Sequence, residues 1–215
     1  MSRSDLDFVV AAHREFFPDG FFARLGPGFL TAYSRTYLTS AHARAYVADV
    51  DGRPAGFLVG VLDPAAHRRH VVRSHGVRLL ARAVAGMVVR PRVASHFVRT
   101  RLFRYLRKLA PKRRGAAASP SAGSGVTAVL SHVAVVGSAR SLGLGGALIR
   151  VFAGDAAHRG CARISLVTLA GPGGAGPYYE RLGWLPRGET RTAEGRQLAT
   201  YDLPLTSRPT QGPAQ

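Results

Sequence analysis

The stretch from Val129 to Phe152 restricts the fold more than any other part of the chain. Val129 to Val136 is an apolar run rich in β-branched residues, the composition of a buried strand. From Gly143 to Phe152 the apolar residues Leu144, Ala147, Leu148, Val151 and Phe152 recur at the spacing of one helical face. Between the two lies Arg140-Ser141-Leu142-Gly143-Leu144-Gly145-Gly146. A glycine-rich turn that leaves a strand and starts a helix lets backbone N–H groups approach an anion closely. The helix N-terminus adds its partial positive charge, so a phosphate or pyrophosphate is the natural ligand. The turn is not a Walker loop, because no Gly-Lys-Ser/Thr follows to hold a triphosphate and magnesium. It also lacks the G-x-G-x-x-G turn and downstream acid of a dinucleotide fold.

A second pattern follows. An apolar strand, Arg163 to Leu169, leads through a glycine-rich link to Pro177-Tyr178-Tyr179-Glu180-Arg181-Leu182-Gly183-Trp184. Arg-x-x-Gly-x-Gly and this Tyr-Tyr-x-x-x-Gly-Trp segment, in this order and about 40 residues apart, resemble the GNAT superfamily of acyl-CoA N-acyltransferases. The resemblance is firm over 126–204, fair over 4–62 and absent over 63–125. It implies an α/β (α+β) fold with a mixed, mostly antiparallel central sheet flanked by helices. It also implies acetyl-CoA as co-substrate and no metal. The backbone of Val133 and Val135 would meet the pantetheine arm and polarise the thioester carbonyl. Arg140, Ser141, Leu142, Gly143, Leu144, Gly145 and Gly146 would hold the pyrophosphate, and Tyr179 would protonate the leaving thiolate. Gly173 stands where relatives often place an asparagine.

The general base is not marked. Relatives often draw one from the fourth strand, where the active-site face here offers Val129 and Ser131. Strict alternation turns His132 to the opposite side unless a bulge intervenes, so a core histidine is the expected reading. Other histidines lie in or beside the middle segment, at His67, His70, His75 and His96.

In the first part of the chain, residues 4–17 predict a helix capped by Ser4, with a stripe of Val9, Ala12 and Phe16. Relatives carry a strand before this helix, for which only three residues are present here. A second helix is expected over 28–40, with Phe29, Ala32, Tyr33 and Tyr37 on one side as core residues. Strands over Ala45–Val50 and Pro54–Leu62 flank Asp51-Gly52, a two-residue hairpin signal. Gly56 and Gly60 inside the second strand point to close backbone approach or a bulge.

Residues 63–114 depart from the family plan. They hold 15 of the 30 basic residues and one acid, Asp63. Val77, Leu80, Val84 and Met87 form one helical stripe, and Val98, Leu102, Tyr105, Leu106 and Leu109 another. Arg99, Arg101, Arg104, Arg107 and Lys108 crowd the second. The expectation is a pair of basic amphipathic helices inserted into the domain. They serve either as a lid or dimer surface with a buried apolar face, or as a surface for an anionic partner: tRNA, anionic lipid or an acyl carrier protein. Residues 115–125 read as a linker and 206–215 as a disordered tail, leaving one domain over 1–205.

The chain of 215 residues is 46% apolar, which suits a single full core. No run of 18 uninterrupted apolar residues occurs, the N-terminus lacks a signal-peptide order, and the single Cys161 is expected to be buried and inert. These features predict a cytoplasmic protein. The net charge of +18 is almost wholly arginine and is a poor guide to function by itself. The functional expectation is an N-acetyltransferase moving an acetyl group from acetyl-CoA to the primary amine of a small molecule such as an antibiotic, amino sugar or specialised metabolite. The alternatives are an acyltransferase acting on an acidic macromolecule such as aminoacyl-tRNA, and a non-catalytic CoA-fold binding module.

Overall fold

A computed structural model describes residues 1–90, 126–192 and 195–205. Helix α1 (Leu6–Phe16) buries Leu6, Val9, Val10, Ala12 and His13. Ser4 does not cap it. The carboxylate of Asp5, at the cap position, instead accepts hydrogen bonds from the Ser2 backbone N–H and hydroxyl at 2.6 and 2.9 Å. A short helix α2 (Phe21–Arg24) precedes α3 (Pro27–Thr39), which starts on a proline and buries Phe29, Leu30, Ala32 and Tyr37.

Strands β1 (Ala43–Val50) and β2 (Arg53–Val61) form an antiparallel hairpin. Its turn has φ of 50° at Asp51 and 72° at Gly52, the paired left-handed residues of a type I′ turn. Next come α4 (Pro64–His70), whose first turn is capped by the Asp63 carboxylate accepting from the Ala66 N–H at 2.9 Å, a π-helical turn over Val71–His75, and α5 (Gly76–Val88).

After residue 125 the chain runs through β3 (Val126–Val135), α6 (Leu144–His158), β4 (Cys161–Leu169), α7 (Gly176–Arg181), β5 (Leu185–Arg191) and β6 (Gln197–Pro204). The six strands make one sheet in the order β1-β2-β3-β4-β6-β5. Only β3 and β4 are parallel, so the sheet is mixed and mostly antiparallel.

Two apolar layers hold the sheet. On one face Leu148, Ile149 and Phe152 of α6 pack with Leu58, Leu130, Ile164, Leu166 and Trp184. On the other, Val9 and Ala12 of α1 and Tyr37 of α3 cover Phe57, Val59 and Val61. Gly60 makes the first layer close: a Cβ there would overlap the ring of Phe152, which is fully buried. Cys161 is buried, its thiol donating to the Leu62 carbonyl at 3.5 Å, and burial pushes its pKa up.

The inserted segment opens with α4 and the π-helical turn, which the apolar spacing does not mark, and the expected amphipathic helix follows as α5 with its other face turned inward. Gly86 sits directly on the Leu25 backbone, where a side chain would collide, and Arg90 reaches the Leu25 carbonyl at 3.5 Å. Val77, Leu80 and Val84 are 86%, 66% and 46% exposed, so the described residues do not bury this stripe. The expected second helix over 98–109 with its arginines, His96, the linker and the tail all lie outside the described residues. No helix among the described residues is long and apolar enough to cross a membrane.

Candidate active site

The site follows from an interrupted strand pair. β3 pairs with β4 only from Val126 to Val129, opposite Cys161 to Ser165. Beyond Val129 the two strands separate, and one edge of β3 opens onto a cavity of about 540 Å³. Antiparallel pairing with β2 continues to Val135, so β3 remains in the sheet while its other edge is left without a ladder.

Val133 and Val135 line that cavity along the free edge. At its far end the chain passes through a turn over Gly137–Ala139 into the glycine-rich loop. Ser141 and Gly143 have φ of 73° and 74°, with Leu142 between them. A serine in the left-handed region is strained by about 1 kcal/mol, and such alternation turns successive N–H groups into one concavity. Helix α6 begins there with its first N–H groups unpartnered within the helix. Gly145 lets the Tyr178 hydroxyl come close, since a Cβ there would lie 2.7 Å from it. Arg140 completes this end, its guanidinium 5.5 Å from the centre of the Phe16 ring.

The structure sorts the seven loop residues. Arg140, Ser141, Gly143, Leu144 and Gly145 line the cavity. Leu142 does not; it is 61% exposed. Gly146 does not either, being buried on the first turn of α6 near Leu182 and Arg150. The lining thus runs on both sides of Leu142, which the turn between the left-handed Ser141 and Gly143 leaves outside.

Tyr179 lines the same cavity from α7. Its ring is wedged against Tyr178 and Trp184, each 5.5 Å away between centroids, and Tyr201 at 6.3 Å. Burial pushes its hydroxyl up to about 12, so it stays protonated at neutral pH and keeps a proton to donate. The cavity thus has a cationic, N–H-rich end, a bare strand edge and a buried phenol, with no carboxylate among its described lining residues. Phe16, Phe17 and Ala175 also line it; they come from segments that only tertiary folding brings in.

His132 departs from expectation. A bulge sets Val59 opposite His132 but Gly60 opposite Leu130, leaving Ser131 unpaired. Alternation restarts there. Ser131 hydrogen-bonds Tyr37 of α3, and His132 packs against His13 and Phe17 at the end of α1, with centroids 4.5 and 5.0 Å away. His132 therefore lies on the helix α1 side, lining a second cavity of about 510 Å³ that shares Phe16 and Phe17 with the first. Desolvation drives His132 to about 3, helped by His13, which burial itself drives to about 4. Both imidazoles are neutral. Among the described residues the buried His132 Nδ1 has no hydrogen-bond partner. The insert histidines sit elsewhere: His70 and His75 meet the Thr39 hydroxyl at 3.1 and 2.8 Å. Among the described residues no three His, Cys, Asp or Glu side chains gather as a metal site would require.

A mixed sheet that splays between two parallel strands, with a glycine-rich helix start at the opening, is the architecture of the GNAT acyltransferases, and this chain has that fold. Solved structures of such enzymes superpose on nearly all of it. An N-acetyltransferase from Staphylococcus aureus Mu50 matches with a TM-score of 0.57 at 14% identity, over 96% of each chain. An aminoglycoside 6′-N-acetyltransferase complexed with coenzyme A matches at 0.54 and 14%, over 95% of this chain and 92% of that one. The ribosomal-protein-S18-alanine N-acetyltransferase from Escherichia coli matches at 0.52 and 15%, over 100% and 96%. No family model and no curated protein matches the sequence.

Proposed function

We propose that this protein is an N-acyltransferase that moves an acetyl group from acetyl-CoA to the primary amine of a small molecule. The observation that carries this reading is the free edge of β3 beyond Val129, opening on a cavity bounded by the left-handed loop and Tyr179. The loop N–H groups and Arg140 suit a pyrophosphate. The unladdered backbone of Val133 and Val135 supplies hydrogen bonds to an extended pantetheine arm and to the developing oxyanion. In the reaction the amine nitrogen attacks the thioester carbonyl, the C–N bond forms, the C–S bond breaks, the thiolate takes its proton from the Tyr179 hydroxyl, and the proton lost by the nitrogen returns through water to Tyr179. The test is thiol release from acetyl-CoA against a panel of amines, with the acetylated product identified by mass spectrometry. No release and no acetyl-CoA binding would end the reading. Binding without release would favour a non-catalytic module.

One observation supports a second reading, in which an anionic partner docks on the insert. The exposed stripe of α5 is flanked by Arg78 and Arg82, and the chain beyond it holds Arg101, Arg104 and Arg107 with no acid through residue 125. Binding to tRNA, anionic vesicles or an acyl carrier would weaken steeply with salt, and replacing those three arginines with glutamine would flatten the slope. A dimer through the same stripe would instead appear as a concentration-dependent mass.

A further inference from the structure

The second cavity differs in chemistry from the first. Its floor is β4, whose inner residues Ile164 and Leu166 are buried against α6 while Val167 and Leu169 turn outward. No helix among the described residues covers them as α1 and α3 cover β2, so they stay 58% and 45% exposed at the cavity. Phe17, Phe21 and Phe22 wall it. The charged residues in its described lining, besides the neutral histidines, are Asp19 and Arg196 at the rim. Asp19 is matched by Arg24 at 3.2 Å and by Arg196 at 3.8 Å. Of the residues outside the described ones only Glu194 is acidic.

This lining rejects a polycation. A ligand with several ammonium groups gains affinity from unpaired carboxylates, and here the one carboxylate already faces two guanidiniums. Open apolar strand and aromatic walls favour a ligand that covers them. We infer that this cavity takes the acceptor, a primary amine carried on an aromatic or apolar body, with its nitrogen at His132. The inference rests on the acyltransferase reading and names its substrate class.

His132 suits the part. It stands one residue before Val133, on the strand whose edge opens to the first cavity, and its imidazole is kept neutral among His13, Phe17 and Val59. The other titratable groups nearby are Tyr37, through Ser131, and Asp19 and Arg196 on the rim. A neutral imidazole accepts a hydrogen bond from the N–H of the bound amine and so aims the nitrogen lone pair at the thioester carbonyl. Tyr179 supplies the thiolate proton, and water carries the proton lost by the amine nitrogen back to Tyr179, so the cycle closes with free thiol and amide.

The experiment compares initial rates with acetyl-CoA for 2-phenylethylamine and 1-hexylamine against kanamycin and spermine, with acetyl-CoA affinity measured separately by calorimetry. The apolar amines should show kcat/KM at least about 10-fold higher. Leu169→Glu places a carboxylate on an exposed position of the cavity floor. It should raise KM for 2-phenylethylamine roughly 10-fold and leave acetyl-CoA affinity unchanged. His132→Ala should lower kcat at least about 10-fold with acetyl-CoA affinity unchanged, and His132→Gln, which keeps a hydrogen-bond acceptor, should restore part of it. Acetyl-CoA binding with transfer only to the polycations, or to none of the four amines, overturns the acceptor class while the acyltransferase reading stands. An unchanged KM in folded Leu169→Glu overturns it too. Full activity of His132→Ala removes the hydrogen bond assigned to His132. Failure of the wild type to bind acetyl-CoA overturns both readings together.

Discussion

The imidazoles of His13 and His132 lie 4.5 Å apart between centroids, tilted by 50°, one at the end of α1 and the other beside the β3 bulge. Each is held neutral by burial, at about 4 and about 3 against an ordinary 6.5. Between about pH 6.5 and pH 4 the unfolded chain therefore binds protons that the folded chain refuses. Stability should rise with pH through that window and fall on acidification, by up to about 1.4 kcal/mol per pH unit for each histidine. Urea unfolding at pH 7.5 and 5.0 measures this, and His13→Gln should reduce the slope. An unaltered slope in that variant would show that water reaches the pair.

Gly60→Ala should destabilise the fold by roughly 1–3 kcal/mol, because the new methyl group would meet the ring of Phe152, which the core leaves no room to move. Denaturant titration checks it. An unchanged midpoint would mean that α6 can shift away from the sheet.

Tyr179→Phe keeps the ring among Tyr178, Trp184 and Tyr201 and removes only the hydroxyl. Turnover should drop by roughly 10²–10⁴ while acetyl-CoA affinity holds. Undiminished turnover would assign the thiolate proton to water and leave Tyr179 a packing role.

Much of this arrangement is legible in the residues themselves. The β-branched run, the glycine turn and the 3.6-residue stripe that follows locate β3, the loop and α6, and Asp51-Gly52 marks its hairpin, because these are local preferences. What the chain hides is set by distant partners. The bulge that turns His132 towards α1 is fixed by the β2–β3 pairing, and Gly60, flagged for a bulge or close approach, is the nearest local sign of it. Leu142 is left off the cavity between the left-handed Ser141 and Gly143, and no composition argument assigns that conformation to a serine. The second cavity joins the end of α1, α2, β4 and β6, segments far apart in the chain, and has no linear signature.

The central claim is that the loop before α6 holds the pyrophosphate of acetyl-CoA. Gly143 has φ of 74° with open space where a Cβ would point, so asparagine and aspartate both fit there with similar strain and differ only in charge. Calorimetric titration of acetyl-CoA into the wild type, Gly143→Asn and Gly143→Asp tests the claim most directly. The wild type should bind, and the aspartate variant should bind roughly 10- to 100-fold more weakly than the asparagine variant, since a fixed anion would face the phosphates. Equal affinity in the two folded variants, or no binding by the wild type, would contradict it.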